Sequence, residues 1–229
     1  MWLKTTTLFQ SQLDFSFYCA HFNIEHFDLQ YFTELGITFP AKLNNAVVKR
    51  QAEYLAGRVC AKNALSTFGI NDFQIISGEN RAPIWPTNIC GSITHTQGIA
   101  AAVVSNNPNI AGLGIDIECF MKEKQEKELQ SHILAPNEQS SFSKLSKLSS
   151  NPLTIIFSAK ESIYKALYPT VRNFFDFDAV TLIEFDNNRL IFIINKSLAI
   201  KVPKGSLITV YYQKCNNFVI TESLFSFIA

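Results

Sequence analysis

Excess charge of either sign is missing from this sequence. Its 229 residues carry 20 Lys and Arg against 19 Asp and Glu, a formal net charge of +1. Such a balance gives no bulk attraction to nucleic acid or to an anionic membrane, so any anion site must be built from local basic residues. A cysteine framework is missing as well. The five cysteines (Cys19, Cys60, Cys90, Cys119, Cys215) are an odd number without C-x-x-C spacing, which argues against disulfides and against a zinc site. Buried thiols are the expectation. No run approaches the ~18 apolar residues of a membrane helix, and Met1-Trp2-Leu3-Lys4-Thr5 lacks the apolar core of a signal peptide. A reducing, cytoplasmic compartment is therefore expected, with neither a membrane span nor a nucleic-acid partner.

What the chain does hold is core-forming mass. Hydrophobic residues make up 47% and charged ones 17%, and Phe alone occurs 20 times. That composition excludes disorder as the main state and can fill one large domain or two small ones.

The segment Gly114-Ile115-Asp116-Ile117-Glu118 reads as a β-strand. Side chains alternate faces along a strand, so Asp116 and Glu118 point one way and Ile115 and Ile117 point into a core. Two carboxylates side by side repel unless something positive stands between them. A hard divalent cation such as Mg²⁺ would serve, because it takes oxygen ligands. A strand with one solvated face is the competing reading of these five residues.

Further along, Phe157-Ser158-Ala159-Lys160-Glu161-Ser162-Ile163-Tyr164-Lys165-Ala166-Leu167 reads as a helix start. Ser158 is placed to cap it and Glu161 completes a capping box. Glu161 and Lys165 stand four apart, which by itself describes an ordinary surface pair.

Elsewhere, Leu43 to Phe68 has apolar residues at helical intervals and Gly69 as its stop, with Lys49, Arg50, Arg58 and Lys62 on its polar side. A turn at Asn80-Arg81-Ala82-Pro83 precedes a strand ending at His95 and a small-apolar strand from Gly98 to Val104. Ser105 to Asn109 is a turn-rich break. Met121 to Leu134 reads as a charged helix, and from Val180 onward four β-patterned runs suggest an antiparallel sheet with hairpins. Residues 1–40 read as short strands and turns, and His21 and His26 there have no partner spacing for a metal. A weak internal repeat lays Leu55–Leu65 over Phe157–Leu167, with Arg58 on Lys160.

In combination, G-I-D-I-E followed by F-S-A-K-E-S-I-Y-K-A-L resembles the 4′-phosphopantetheinyl transferases, which prime acyl and peptidyl carrier proteins. The likeness is to the two-lobed group, in the branch associated with siderophore-type peptide synthetases. It covers the chain from about Lys49 to Leu167; residues 1–40 and the last sixty, 170–229, carry no matching motif. The resemblance implies an α+β, pseudo-twofold fold in which each lobe is a long helix on a small antiparallel sheet. The lobes would be 1–108, contacting coenzyme A, and 109–229, carrying the metal-binding acids, with the site in the cleft between them and the protein a monomer.

The activity it implies is Mg²⁺-dependent (Mn²⁺ being an alternative) transfer of 4′-phosphopantetheine from coenzyme A to a carrier-protein serine, with release of 3′,5′-ADP. Asp116, Glu118 and Glu161 would hold the metal. Glu161 or a metal-bound water would take the serine proton, and Lys160 and Lys165 would offset charge on the pyrophosphate. Arg50, Arg58, Arg81 and His95 match the family's basic positions for coenzyme A phosphates. Many relatives carry Trp where Phe157 stands, which alters ring packing and removes no charge. Met121, Leu129, Ile133 and Leu134 on the segment after the acidic strand would offer apolar contacts to the carrier. A Mg²⁺-dependent phosphohydrolase or nuclease and a non-catalytic carrier-binding module are the competing functions.

Overall fold

The computed structural model describes residues 1–13 and 15–226. The chain forms two compact units, Met1–Asn107 and Pro108–Ala229. Each is a long helix laid on an antiparallel sheet, so the α+β class expected from the sequence is the one found. No helix among the described residues is long and apolar enough to cross a membrane.

The first unit contains β1 (Leu3–Thr5), β2 (Ser16–Phe22), the short α1 (Gln30–Glu34), the long α2 (Val48–Ser66), β3 (Cys90–Thr96) and β4 (Ile99–Ser105). Its sheet runs in the order β1-β2-β4-β3. β4 is buried along its whole length, and its run of small residues lets α2 pack closely on the sheet. The helix starts later than its periodicity suggests, because Ala41–Leu43 forms a separate 3₁₀ turn. It ends at Ser66, two residues short of the expected Phe68, and the turn that follows carries Gly69 at φ +73°, a conformation favoured by glycine.

The second unit contains β5 (Ile110–Cys119), α3 (Glu123–Ile133), α4 (Gln139–Leu145), α5 (Pro152–Val171), β6 (Val180–Phe185), β7 (Arg189–Ile194), β8 (Leu207–Cys215) and β9 (Phe218–Ser226). The sheet order is β5-β9-β8-β7-β6, with the acidic strand β5 at one edge. Leu113, Ile115 and Ile117 on β5 are almost fully buried, and Gly112, Gly114 and Asp116 on the opposite face are buried too, so the strand is covered on both sides.

Helix α5 begins six residues before Ser158, the start of the expected capping box, with Pro152 in its first turn after Asn151, a position where the missing N–H costs nothing. Ser158 is therefore inside the helix and does not cap it. Its hydroxyl is spent on another strand, as described below. On α3, Ile133 is only 2% exposed and belongs to the core, and Leu129 packs against that core. Ile133 is thus unavailable to a partner, because the helix needs it to hold itself onto the unit.

Candidate functional site

Two clusters of chemistry-bearing side chains stand out, one in each unit. In the first unit, α2 presents Arg50, Glu53, Tyr54, Gly57 and Arg58 along one face, at spacings of three and four residues. Gly57 is required there: a Cβ would lie 2.8 Å from the Ile93 side chain on β3. This close approach shapes a cavity of about 110 Å³, also lined by Ser77, Arg81 and His95.

Arg50 Nη1 lies 2.8 Å from His95 Nε2. A guanidinium can only donate, so Nε2 accepts and the ring hydrogen is on Nδ1. That nitrogen faces Glu53 Oε2 at 3.7 Å, and the same oxygen is 3.6 Å from Arg50. Arg58 is 7% exposed. Its Nη2 donates to Ser77 Oγ at 3.0 Å, and its guanidinium stacks 4.4 Å over the Tyr54 ring. Its Nε is buried without an acceptor among the described residues, and burial holds the group below the usual guanidinium range. An orphaned buried donor on a cation suits an incoming anion. Arg81 is exposed and held at φ +65° in the turn that follows Gly78. Lys42 belongs to this group too: desolvation first, then the charges of Arg58, Arg50 and Arg81, push its ammonium down.

The second cluster is made by seating α5 directly on β5. A Cβ at Gly112 would lie 2.0 Å from the Ala166 carbonyl oxygen, and one at Gly114 would lie 1.8 Å from that of Ser162. The two backbones therefore touch, and side chains of α5 reach the acidic face of the strand. Asp116, 4% exposed, accepts from Ser158 Oγ at 2.8 Å on one carboxylate oxygen and from Lys165 Nζ at 2.7 Å on the other. Lys165 also donates to the Ile115 carbonyl at 3.0 Å.

Glu118 lies on the same face. Burial, and then the Asp116 charge, push its carboxyl up to about 8, with Lys165 opposing and Glu161 adding to the rise. Burial also raises Glu161, with Asp116 contributing. The three acids therefore feel one another, and one ammonium does not discharge them all. Among the described residues no three His, Cys, Asp or Glu side chains close into a group that could hold a metal as they stand. The donor set itself, carboxyl oxygens short of positive charge, suits a hard divalent cation. Glu161 also lines a cavity of about 240 Å³ with Tyr164, Phe174, Phe175 and Phe177.

Lys160 lines the same cavity as Glu161, but its ammonium turns away from Asp116. Its ammonium is directed to Glu138 Oε2 at 2.6 Å and to the carbonyls of Ile133 and Phe177 at 2.9 and 3.1 Å. It is 2% exposed, and burial lowers its pKa while Glu138 opposes.

Of the residues singled out in the sequence, the structure brings Arg50, Arg58, Arg81 and His95 together in the first unit. It couples Asp116, Glu118, Glu161 and Lys165 in the second. The sequence reading passed over Lys42, Glu53, Tyr54, Ser77, Ser158 as a ligand of Asp116, and Glu138. Helical spacing from Arg50 could have pointed to Glu53 and Tyr54, but nothing local marks the others.

The family model for the 4′-phosphopantetheinyl transferase N-terminal domain matches residues 39–105. That for the 4′-phosphopantetheinyl transferase superfamily matches residues 112–220. The chain is 34% identical to enterobactin synthase component D of Escherichia coli (strain K12) over 223 residues, covering 96% of this chain and 98% of that one. It is 34% identical to the 4′-phosphopantetheinyl transferase Svp of Streptomyces mobaraensis over 161 residues, 65% of this chain and 61% of that one. With the 4′-phosphopantetheinyl transferase Npt of Nocardia iowensis it shares 35% identity over 133 residues, 58% and 59% of the two chains.

Proposed function

The chain belongs to the 4′-phosphopantetheinyl transferase superfamily, and from that premise we propose that it moves 4′-phosphopantetheine from coenzyme A to a serine of an acyl or peptidyl carrier protein, releasing 3′,5′-ADP. It is an enzyme of the phosphopantetheinyl transferase type. The observation that carries the finer reading is the coupled set Asp116, Glu118 and Glu161, with a Glu118 carboxyl lifted to about 8. Clustered acids with too little counter-charge are what a pyrophosphate-bound cation would relieve.

Asp116, Glu118 and Glu161 would hold Mg²⁺, or Mn²⁺ in its place. When bound, the cation supplies charge neutralisation for the pyrophosphate. The remaining work falls to side chains. Lys165, 26% exposed and already at Asp116, is the ammonium able to turn towards a phosphate oxygen as charge builds there. Glu161, which also lines the aromatic cavity, is the carboxylate placed to accept the serine proton.

In the first unit Arg58 and Arg81 hold the coenzyme A 3′-phosphate. Arg58 offers a buried, unused donor, and arginine suits phosphate through its forked geometry. Arg50, oriented by His95, and Lys42 add charge to the same cavity. The name shared by several relatives, enterobactin synthase component D, favours a carrier domain of a siderophore-type peptide synthetase.

The deciding experiment incubates the protein with coenzyme A, Mg²⁺ and an apo peptidyl carrier domain, and follows both carrier mass and 3′,5′-ADP. Carrier mass should rise by one phosphopantetheine per ADP released. Phosphoester hydrolysis without carrier, and with no gain in carrier mass, would instead make the protein a phosphohydrolase.

A further inference from the structure

We infer that Glu138 is a positioning residue for the transfer reaction, acting through Lys160 to fix where Glu161 stands on α5. This deepens the proposed metal site and rests on it.

An ammonium has three N–H groups, and all three of Lys160 are used: on Glu138 Oε2, on the Ile133 carbonyl and on the Phe177 carbonyl. None is left for a phosphate. Glu138, 0% exposed, is equally committed. Its Oε2 also accepts from the Ala135 amide at 2.9 Å, and its Oε1 accepts from the Leu182 amide at 2.6 Å. One side-chain pair thus ties α5 to the end of α3, to the turn before α4, to the 3₁₀ turn at Phe177–Ala179 and to β6.

A buried ion pair is poor evidence of stability, since apolar residues of similar size often serve as well. What it adds is direction, through short charge-assisted hydrogen bonds. Here the direction matters because of sequence adjacency. Lys160 precedes Glu161, so whatever fixes the lysine's backbone fixes the glutamate's. Consecutive helix residues diverge by about 100°, so a rotation of α5 would swing Glu161 off the Asp116 face. The other flank of α5 is already seated on β5 through Ser158, Ser162 and Lys165. Glu161 stands between the two attachments. The same lysine holds the backbone of Phe177, whose ring is part of the cavity that Glu161 lines.

The test compares Glu138→Gln, Lys160→Met and the apolar double variant Glu138→Leu/Lys160→Met with the wild type. The readouts are Mn²⁺ binding by electron paramagnetic resonance, melting temperature, and KM and kcat for coenzyme A and carrier. A displaced Glu161 should weaken Mn²⁺ binding by about 10–100-fold, as loss of a supporting contact does at metal sites, and lower kcat. The KM for coenzyme A should not move. The double variant keeps the proposal falsifiable should the single variants unfold, because an apolar pair can restore folding. It should melt near wild type yet still bind Mn²⁺ weakly.

Wild-type Mn²⁺ affinity in a well-folded double variant, or in Glu138→Gln with only a lower melting temperature, would reduce the pair to a structural role and overturn the proposal. So would a Lys160→Met protein that binds Mn²⁺ normally and turns over nothing, since Lys160 would then touch substrate. Absence of Mn²⁺ binding in the wild type is a separate result, and it would remove the metal site itself together with this inference.

Discussion

Lys165 Nζ sits 2.7 Å from Asp116 Oδ1, joining α5 to β5 where Gly114 lets the two backbones meet. The lysine gives Asp116 a positive neighbour, while burial and then the Asp116 charge push the Glu118 carboxyl up to about 8.

Removing that ammonium takes a charged donor from Asp116, which is 4% exposed. Lys165→Met should cost about 1–3 kcal/mol of stability without metal, the range for a buried group that loses a partner. Added Mg²⁺ should raise the melting temperature of the variant more than that of wild type. An equal rise in both would separate Lys165 from the metal face.

Stability should fall with pH in the metal-free protein. Glu118 has a folded pKa of about 8 against an ordinary 4.5, so between those values the folded state binds more protons than the unfolded one. Its contribution is fully present below the lower value and lost as pH rises through the upper. Glu161 is shifted in the same direction and adds to the slope. Denaturant melts in a chelator should therefore show the wild type weakening across this window and Glu118→Gln weakening less. Identical slopes would mean that Glu118 ionises freely.

The basic cavity is tested by its ligand. Arg81→Ala should weaken coenzyme A binding by about 1.5–3 kcal/mol, the range for hydrogen bonds to charged groups. Dephospho-coenzyme A, which lacks the 3′-phosphate, should lose much less. Calorimetry that finds equal losses for both would move Arg81 off the 3′-phosphate.

Gly114→Ala probes the seating of α5. Its Cβ would lie 1.8 Å from the Ser162 carbonyl oxygen, so helix and strand must separate. We expect destabilisation at or above the ~1–3 kcal/mol typical of overpacking, seen as a drop in melting temperature. Unchanged melting would show that the helix can shift at no cost.

The reach of sequence reasoning follows from the range of the interactions. Strand alternation is local, so Asp116 and Glu118 on one face with Ile115 and Ile117 in the core could be read from five letters. The long helices and the C-terminal hairpins could be read too, because their periods repeat within one element. Ser158 escapes local reading for the same reason: serine three residues before glutamate is a cap pattern, and only packing reveals that the helix starts at Pro152.

Partner choice is not local. Lys160 and Lys165 stand one helical turn and a fraction apart and look alike in the sequence. Lys165 meets a carboxylate 49 residues away, on the face with Glu118, while Lys160 meets one 22 residues away in the core. The contrast arises because α5 is pressed on β5 along one flank and against the α3–α4 turn along the other. The residue types were written in the chain, and which lysine meets the acidic strand was decided by how the helix lies.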